Sequence, residues 1–279
     1  MLIRMSALLS ILVALVTQPG ASQYQTREAP AKATQAFRWP DGRRGAISLS
    51  FDDARPSQVD NGVPLLDRYH VRATFFVSPD RLKERLDAWK RAIASGHEIG
   101  NHSLVHPCSG NFPWARQKAL ENYTLDQMRK ELTEANRLVR ETLGVTPTSF
   151  AYPCGQTFVG RGTEVKSYVP LVAEMFKVGR LWLGESPNDP LFCDMAQVLS
   201  VPTDDLDFDR LKPTIEQAMQ NGQWLVFAGH DIAESGPRQV TRLKTLEELC
   251  RYATDPRNGV WIDTMDKVAS YILAHRAGQ

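Results

Sequence analysis

Two adjacent carboxylates close an apolar run in "AISLSFDDARPS", residues 46–57. Ile47, Leu49 and Phe51 recur at every second position, as on a half-buried strand, so that strand runs straight into Asp52 and Asp53. Buried together without a partner, two carboxylates repel each other at a cost of several kcal/mol, so the pair calls for a cation. His102 and His106, in "NHSLVH", provide the means to hold one. Their spacing of four places both imidazoles on one side of a helical turn. Two histidines and one carboxylate leave positions open for water and substrate. Asp53 suffices as the carboxylate ligand, which leaves Asp52 to accept a proton from water at that centre.

Each element has an ordinary reading when taken singly. An Asp-Asp pair caps turns and helices, and histidines four apart are often surface or core residues. Their places relative to the strands alter that balance. Strands are expected at 46–51, 73–77, 97–101, 149–152, 179–183, 197–201, 224–228 and 260–262, with helices near 82–94, 125–143, 211–219, 243–252 and 265–273. The clearest helix carries Leu125, Met128, Leu132, Ala135, Val139 and Leu143 on one face, with Thr124 and Gln127 as a capping box and Gly144 as its stop. Strands alternating with helices pair in parallel. The fold class is therefore α/β, a complete or distorted (β/α) barrel of seven to eight units in a single domain, with a doubly wound sheet as runner-up. Both architectures do their chemistry at the carboxyl ends of the strands. Those ends carry Asp52 and Asp53, His102 and His106, and His230 in "FAGHDI", so three of the chain's six histidines gather on one face.

Composition narrows the class. Among 279 residues, 33 Lys and Arg stand against 32 Asp and Glu, a balance that offers no field for nucleic acid. "MLIRMSALLSILVALVTQPGASQ" has a single early charge, Arg4, then a short apolar run, then small residues; residues 1–22 read as a secretory signal peptide, too short to stay inserted in a membrane. Residues 23–45 read as a flexible arm, and 46–275 as the catalytic domain. Export, to the medium or the periplasm, permits disulfides among Cys108, Cys154, Cys193 and Cys250, with three possible pairings.

"SFDDA", "NHSLVH", "FAYPCG" and "FAGHD", in that order, resemble the motifs of the polysaccharide deacetylases, the carbohydrate esterase family 4 or chitin-deacetylase-like enzymes. The resemblance implies a distorted (β/α) barrel that removes N- or O-linked acetyl groups from a carbohydrate polymer or oligomer with one divalent metal ion, zinc first and cobalt, manganese or nickel as alternatives. Position by position it makes Asp52 the general base, His230 the general acid, and Asp53, His102 and His106 the metal ligands. The backbone N–H of Cys154 becomes the oxyanion donor. Trp114, in "GNFPWARQ", and Tyr152 are the substrate-contact candidates; Trp182 and Trp224, within strands, read as core. Because the resemblance puts Cys108 and Cys154 at one rim, a disulfide between them would pin the metal loop, with free buried thiols as the alternative. Three departures stand out. Ala151 occupies the place of the family's third-motif arginine, Gly229 replaces a bulky apolar residue before His230, and the carboxylate supporting His230 is open among Asp204, Asp205 and Asp207. A C–N hydrolase of a non-sugar amide and a non-catalytic carbohydrate-binding protein on the same barrel are the rival readings.

Overall fold

The structure, a computed structural model, describes residues 36–276. The signal-peptide reading and the first part of the arm lie outside them. Eight strands form one sheet, paired in parallel throughout: β1 (Gly45–Asp52), β2 (Thr74–Val77), β3 (Glu98–Asn101), β4 (Ser149–Ala151), β5 (Val178–Arg180), β6 (Val201–Pro202), β7 (Trp224–Gly229) and β8 (Val260–Ile262). Their order is β5-β4-β3-β2-β1-β7-β6, and β8 pairs with the first half of β1, Gly45 opposite Val260 and Ile47 opposite Ile262. The two ends of this path meet. Leu181 N–H donates to Val198 O and Val198 N–H to Gly179 O, each at 2.8 Å, so the sheet curls into a distorted barrel. Of the expected strand 197–201 only Val201 is regular, in the strand Val201–Pro202, and Val198 makes an isolated bridge to Arg180 where the barrel closes.

Alternation along each strand sorts the side chains. Ile47, Leu49, Phe51, Phe75, Val77, Leu225 and Phe227 face outward into one apolar cluster with helix residues such as Leu66, Trp89, Ile215 and Leu249. Ala46, Phe76, Ala151, Val178, Val198, Trp224 and Val226 come from six stretches of the sheet and fill the interior. On β1 the inward residues are Ala46, Ser48, Ser50 and Asp52, small or polar because Trp224 and Phe76 take the space. Trp224 Nε1 donates to Ser48 Oγ at 3.1 Å.

Residues 36–44 are not a loose arm. Phe37 and Trp39 are buried against Tyr271 and Trp261, and Trp39 Nε1 donates to Gly222 O at 2.9 Å. Two aromatic side chains bury too much apolar surface to leave in water, and they outweigh the polar residues around them. The helix Leu125–Leu143 keeps its capping box, and Gly144 ends it at φ 75°. No helix among the described residues is long and apolar enough to cross a membrane.

Candidate active site

Asp52 is the last inward residue of β1, so its carboxylate points into the mouth of the barrel. Both of its oxygens accept from Nη2 of Arg180 at 2.5 Å. Arg180 ends β5, is fully buried, and is the Cα partner of Ala151 on β4. Its Nη1 donates to Leu181 O at 3.2 Å and Ser200 Oγ at 3.4 Å, and its guanidinium lies 5.1 Å from the centre of the Phe76 ring. Phe76 fits there because position 100 is glycine; a Cβ on Gly100 would come within 2.4 Å of that ring. The cation absent at Ala151 thus enters from the adjacent strand, one register position across. Burial pushes the Asp52 carboxyl up, but Arg180, then His102 and His230, pull it below the ordinary carboxylate range.

At Asp53 the chain leaves the strand with φ 77°, and Oδ1 lies 3.8 Å from Nε2 of both His102 and His106. Its other oxygen is held by Arg55, Nη2 at 3.1 Å and Nε at 3.3 Å, and Arg55 is anchored in turn by Asp231 and Gln239. His102 Nδ1 lies 2.9 Å from the Ala151 carbonyl, which can only accept, so that nitrogen carries the hydrogen and Nε2 is left as a free donor of electrons.

The histidines are not on a helical turn, as the spacing suggested. They lie on a loop with Ser103 at φ 61° and His106 at φ 53°. That loop is shaped by Ser103 N–H to Asn101 Oδ1, His106 N–H to Ser103 Oγ, and the N–H groups of Leu104 and Val105 to Glu131 Oε1. Glu131 projects from the long helix, and only the fold reveals its reach. Burial and neighbouring His102 push His106 down to about 4, so its ring is neutral, while Asp53, despite burial, is held well below the ordinary range by His102 and His106. A neutral imidazole and an ionised carboxylate are the states a metal requires.

The three donor atoms fit a small divalent ion. Two bonds of about 2.1 Å at a tetrahedral angle leave donors about 3.4 Å apart, a few tenths less than the 3.8 Å from Asp53 Oδ1 to each histidine, and all three donor atoms lie within 4.8 Å of one another. Asp53, His102 and His106 supply three protein donors, the number that leaves a catalytic zinc site open on one side.

His230 stands at the end of β7. Its Nδ1 lies 2.6 Å from Asp204 Oδ2, and its N–H donates to Asp204 Oδ1 at 3.0 Å. Asp205 accepts from Gln239 N–H and Asp207 pairs with Arg242, so Asp204 is the supporting carboxylate. Gly229 explains how it gets there. A Cβ at that position would lie 2.4 Å from Thr241 Oγ1, 2.6 Å from Thr203 Oγ1 and 3.1 Å from Asp204 Oδ1, so the missing side chain makes room for this polar cluster. Burial disfavours the imidazolium, yet the Asp204 hydrogen bond and the Asp52 charge raise His230 above its usual value. Gln58 ties the two strand ends together, its amide donating to Asp52 O at 2.6 Å and His230 O at 2.9 Å.

The rim separates the remaining candidates. Trp114 is 57% exposed, stacks on Phe112 at 5.5 Å and lies 5.9 Å from the His106 ring. Tyr152 is no substrate contact: it is buried among Phe150 and Tyr168, and its hydroxyl donates to Ala196 O at 2.8 Å. The pleat of β4 turns it away from the cleft. Trp182 is half-buried and meets the His230 ring edge-on at 4.9 Å, so it belongs to the site and not to the core. Cys154 takes φ 55° and forms a disulfide with Cys108 across a Cα separation of 6.1 Å, so only its backbone is free for chemistry. Cys193 and Cys250 are free thiols.

Carboxylates, imidazoles and a cation-ready donor set at the carboxyl ends of parallel barrel strands define a hydrolase-like site. Residues 39–168 match the family model described as polysaccharide deacetylase. The match spans the Asp52–Asp53 pair, both loop histidines and Cys154, and ends before Arg180, Asp204 and His230. Peptidoglycan-N-acetylglucosamine deacetylase PgdA of Listeria monocytogenes is 30% identical over 39% of this chain and 21% of its own length. Chitin deacetylase 1 of Cryptococcus neoformans is 28% identical over 44% and 24%, and the uncharacterized protein YlxY of Bacillus subtilis 31% identical over 35% and 27%. The chain thus spans about a quarter of the length of these curated relatives. Among solved structures, one from Mycobacterium smegmatis aligns with TM-score 0.60 at 18% identity, covering 86% of this chain and 93% of the other. A family 4 acetyl xylan esterase from Clostridium thermocellum in complex with cobalt aligns with TM-score 0.51 at 21% identity, covering 81% and 91%. At these identities the likeness is one of fold.

Proposed function

We propose that this chain is an exported, metal-dependent deacetylase of an acetylated polysaccharide or oligosaccharide. The observation that carries the reading is the convergence of three parts on one barrel mouth: the open set of Asp53, His102 and His106, the Arg180-held carboxylate of Asp52, and the His230–Asp204 pair. The names of the chitin and peptidoglycan deacetylases among its relatives support the substrate class. The disulfide supports export, since such bonds persist in oxidising compartments.

One divalent ion held by Asp53, His102 and His106, zinc by the character of the donors with cobalt, manganese or nickel as alternatives, supplies Lewis acidity to the acetyl carbonyl and to water. Asp52, kept ionised by Arg180, accepts the proton of the attacking water. The Cys154 N–H is the oxyanion donor. His230, kept protonated by Asp204, delivers a proton to the departing amine or alcohol. Trp114 and Phe112 present a flat apolar face for a sugar ring beside His106.

The test is acetate release from a panel of acetylated sugars, using metal-stripped protein before and after return of zinc, cobalt or manganese, with Asp52→Asn alongside. Acetate that depends on metal and disappears in Asp52→Asn is the expected result. Metal bound at one per chain without acetate from any substrate would move the binding-protein and C–N hydrolase readings ahead.

A further inference from the structure

The disulfide lies against a candidate metal ligand. Cys108 Sγ is 3.6 Å from Nδ1 of His106, the ring nitrogen other than the one nearest Asp53. A nitrogen bonded at about 2.05 Å and a sulfur at about 2.3 Å to one tetrahedral ion stand about 3.6 Å apart. Donor atoms of His106, Cys108 and Cys154 all lie within 4.8 Å of one another. The two cysteines are also held near each other by bonds that do not depend on the disulfide. Ser109 N–H donates to Gln156 Oε1, Ser109 Oγ and Gly110 N–H donate to Glu121, and Leu120 N–H donates to Cys108 O. Gly155, at φ 67°, packs so closely on Trp182 that a Cβ would approach it to 2.9 Å. Cleaving the S–S bond therefore leaves both cysteines beside the imidazole, where side-chain rotation parts the sulfurs to about 3.8 Å, the separation that two sulfurs on one tetrahedral ion require.

We propose that Cys108, Cys154 and Nδ1 of His106 form a second metal site, closed by the disulfide and opened by a phosphine or dithiol reductant, for a thiophilic ion such as zinc, cadmium or cobalt(II). Two electrons from the reductant break the S–S bond; with a phosphine, one water supplies the oxygen of the phosphine oxide and the two protons that complete the thiols, and with a dithiol, its own two S–H protons pass to the cysteines as it leaves as a disulfide. Each thiol then gives up its proton as its sulfur binds the ion. Two thiolates and an imidazole are softer donors than Asp53, His102 and His106, so the reduced loop competes for thiophilic ions. In the oxidised chain those sulfurs carry no thiolate, and among the described residues an entering ion meets the set containing Asp53. The disulfide is thus a selector for the cleft's metal, and this inference does not depend on the acetyl chemistry.

The full chain is reduced with a phosphine, desalted, and titrated with cobalt(II). The expected result is a sulfur-to-cobalt charge-transfer band in the reduced protein, none in the oxidised protein, retention of the band in Asp53→Ala and its loss in Cys108→Ser. On the wild-type chain, saturating cobalt should slow alkylation of Cys108 and Cys154 by at least about tenfold while leaving the half-buried thiol of Cys193, the internal control, unchanged. Reduced protein that shows all four thiols by titration but no band, or equal alkylation rates with and without cobalt, overturns the proposal.

Discussion

Arg180→Met tests whether the relocated arginine sets the state of Asp52. The substitution removes the cation bonded to both oxygens of a buried carboxylate and leaves the apolar volume largely filled. Breaking one side of a buried ion pair costs about 3–5 kcal/mol, which for a domain of this size lowers Tm by about 6–20 °C. Asp52 lies below its ordinary pKa, so its contribution to stability is fully present above the unfolded value near 3.8 and is lost as pH falls through the lower folded value. The wild type and Arg180→Met should therefore converge in stability at the acid end. Catalysis needs Asp52 ionised; without Arg180 burial dominates, and the acid limb of kcat/KM moves to higher pH. The location supplies a rescue. Ala151 and Arg180 are register partners on adjacent strands about 4.8 Å apart, and both side chains face inward. The double variant Ala151→Arg/Arg180→Ala should return the acid limb toward its wild-type position. An Arg180→Met protein with unchanged Tm and an unmoved acid limb would refute the assignment.

His230→Ala should lower kcat by about 10²–10⁴ with metal binding intact, as measured by calorimetry. Asp204→Asn removes the bond that raises His230, so the alkaline limb of kcat should shift to lower pH; a fixed limb would exclude His230 as the titrating acid. Trp114→Ala should raise KM about 2- to 10-fold at unchanged Tm, and equal kinetics on oligomers would take Trp114 off the substrate path. Glu131→Gln weakens the hold on Leu104 and Val105 N–H, so the metal Kd should rise by about 10–100-fold, with isothermal titration as the readout.

What the sequence made legible was whatever repeats on the scale of one element. Strand alternation placed Ile47, Leu49 and Phe51 outward and Asp52 inward, and the capped periodicity of 125–143 marked its helix to the residue. Asp52, Asp53, His102, His106 and His230 were legible because each sits at a strand end or on the loop that leaves one, and parallel strands carry those ends to one face. The parts that escaped act across the barrel. Arg180 reads as an isolated charge in "VGRLWL" until the register of β4 and β5 sets it beside Ala151. Asp204 is one of three similar loop carboxylates until the space vacated at Gly229 admits only one. Trp182 and Tyr152 exchange roles because the alternation runs on past the strand ends: Tyr152, one residue after the inward Ala151, turns away from the cleft, and Trp182, two residues after the inward Arg180, turns toward His230. Gly100, Phe76, Arg180 and Asp52 therefore form one column, in which a missing side chain on β3 seats a ring on β2, the ring seats a cation from β5, and the cation fixes the carboxylate of β1. Such a column depends on four strands at once, so no single stretch of sequence contains it.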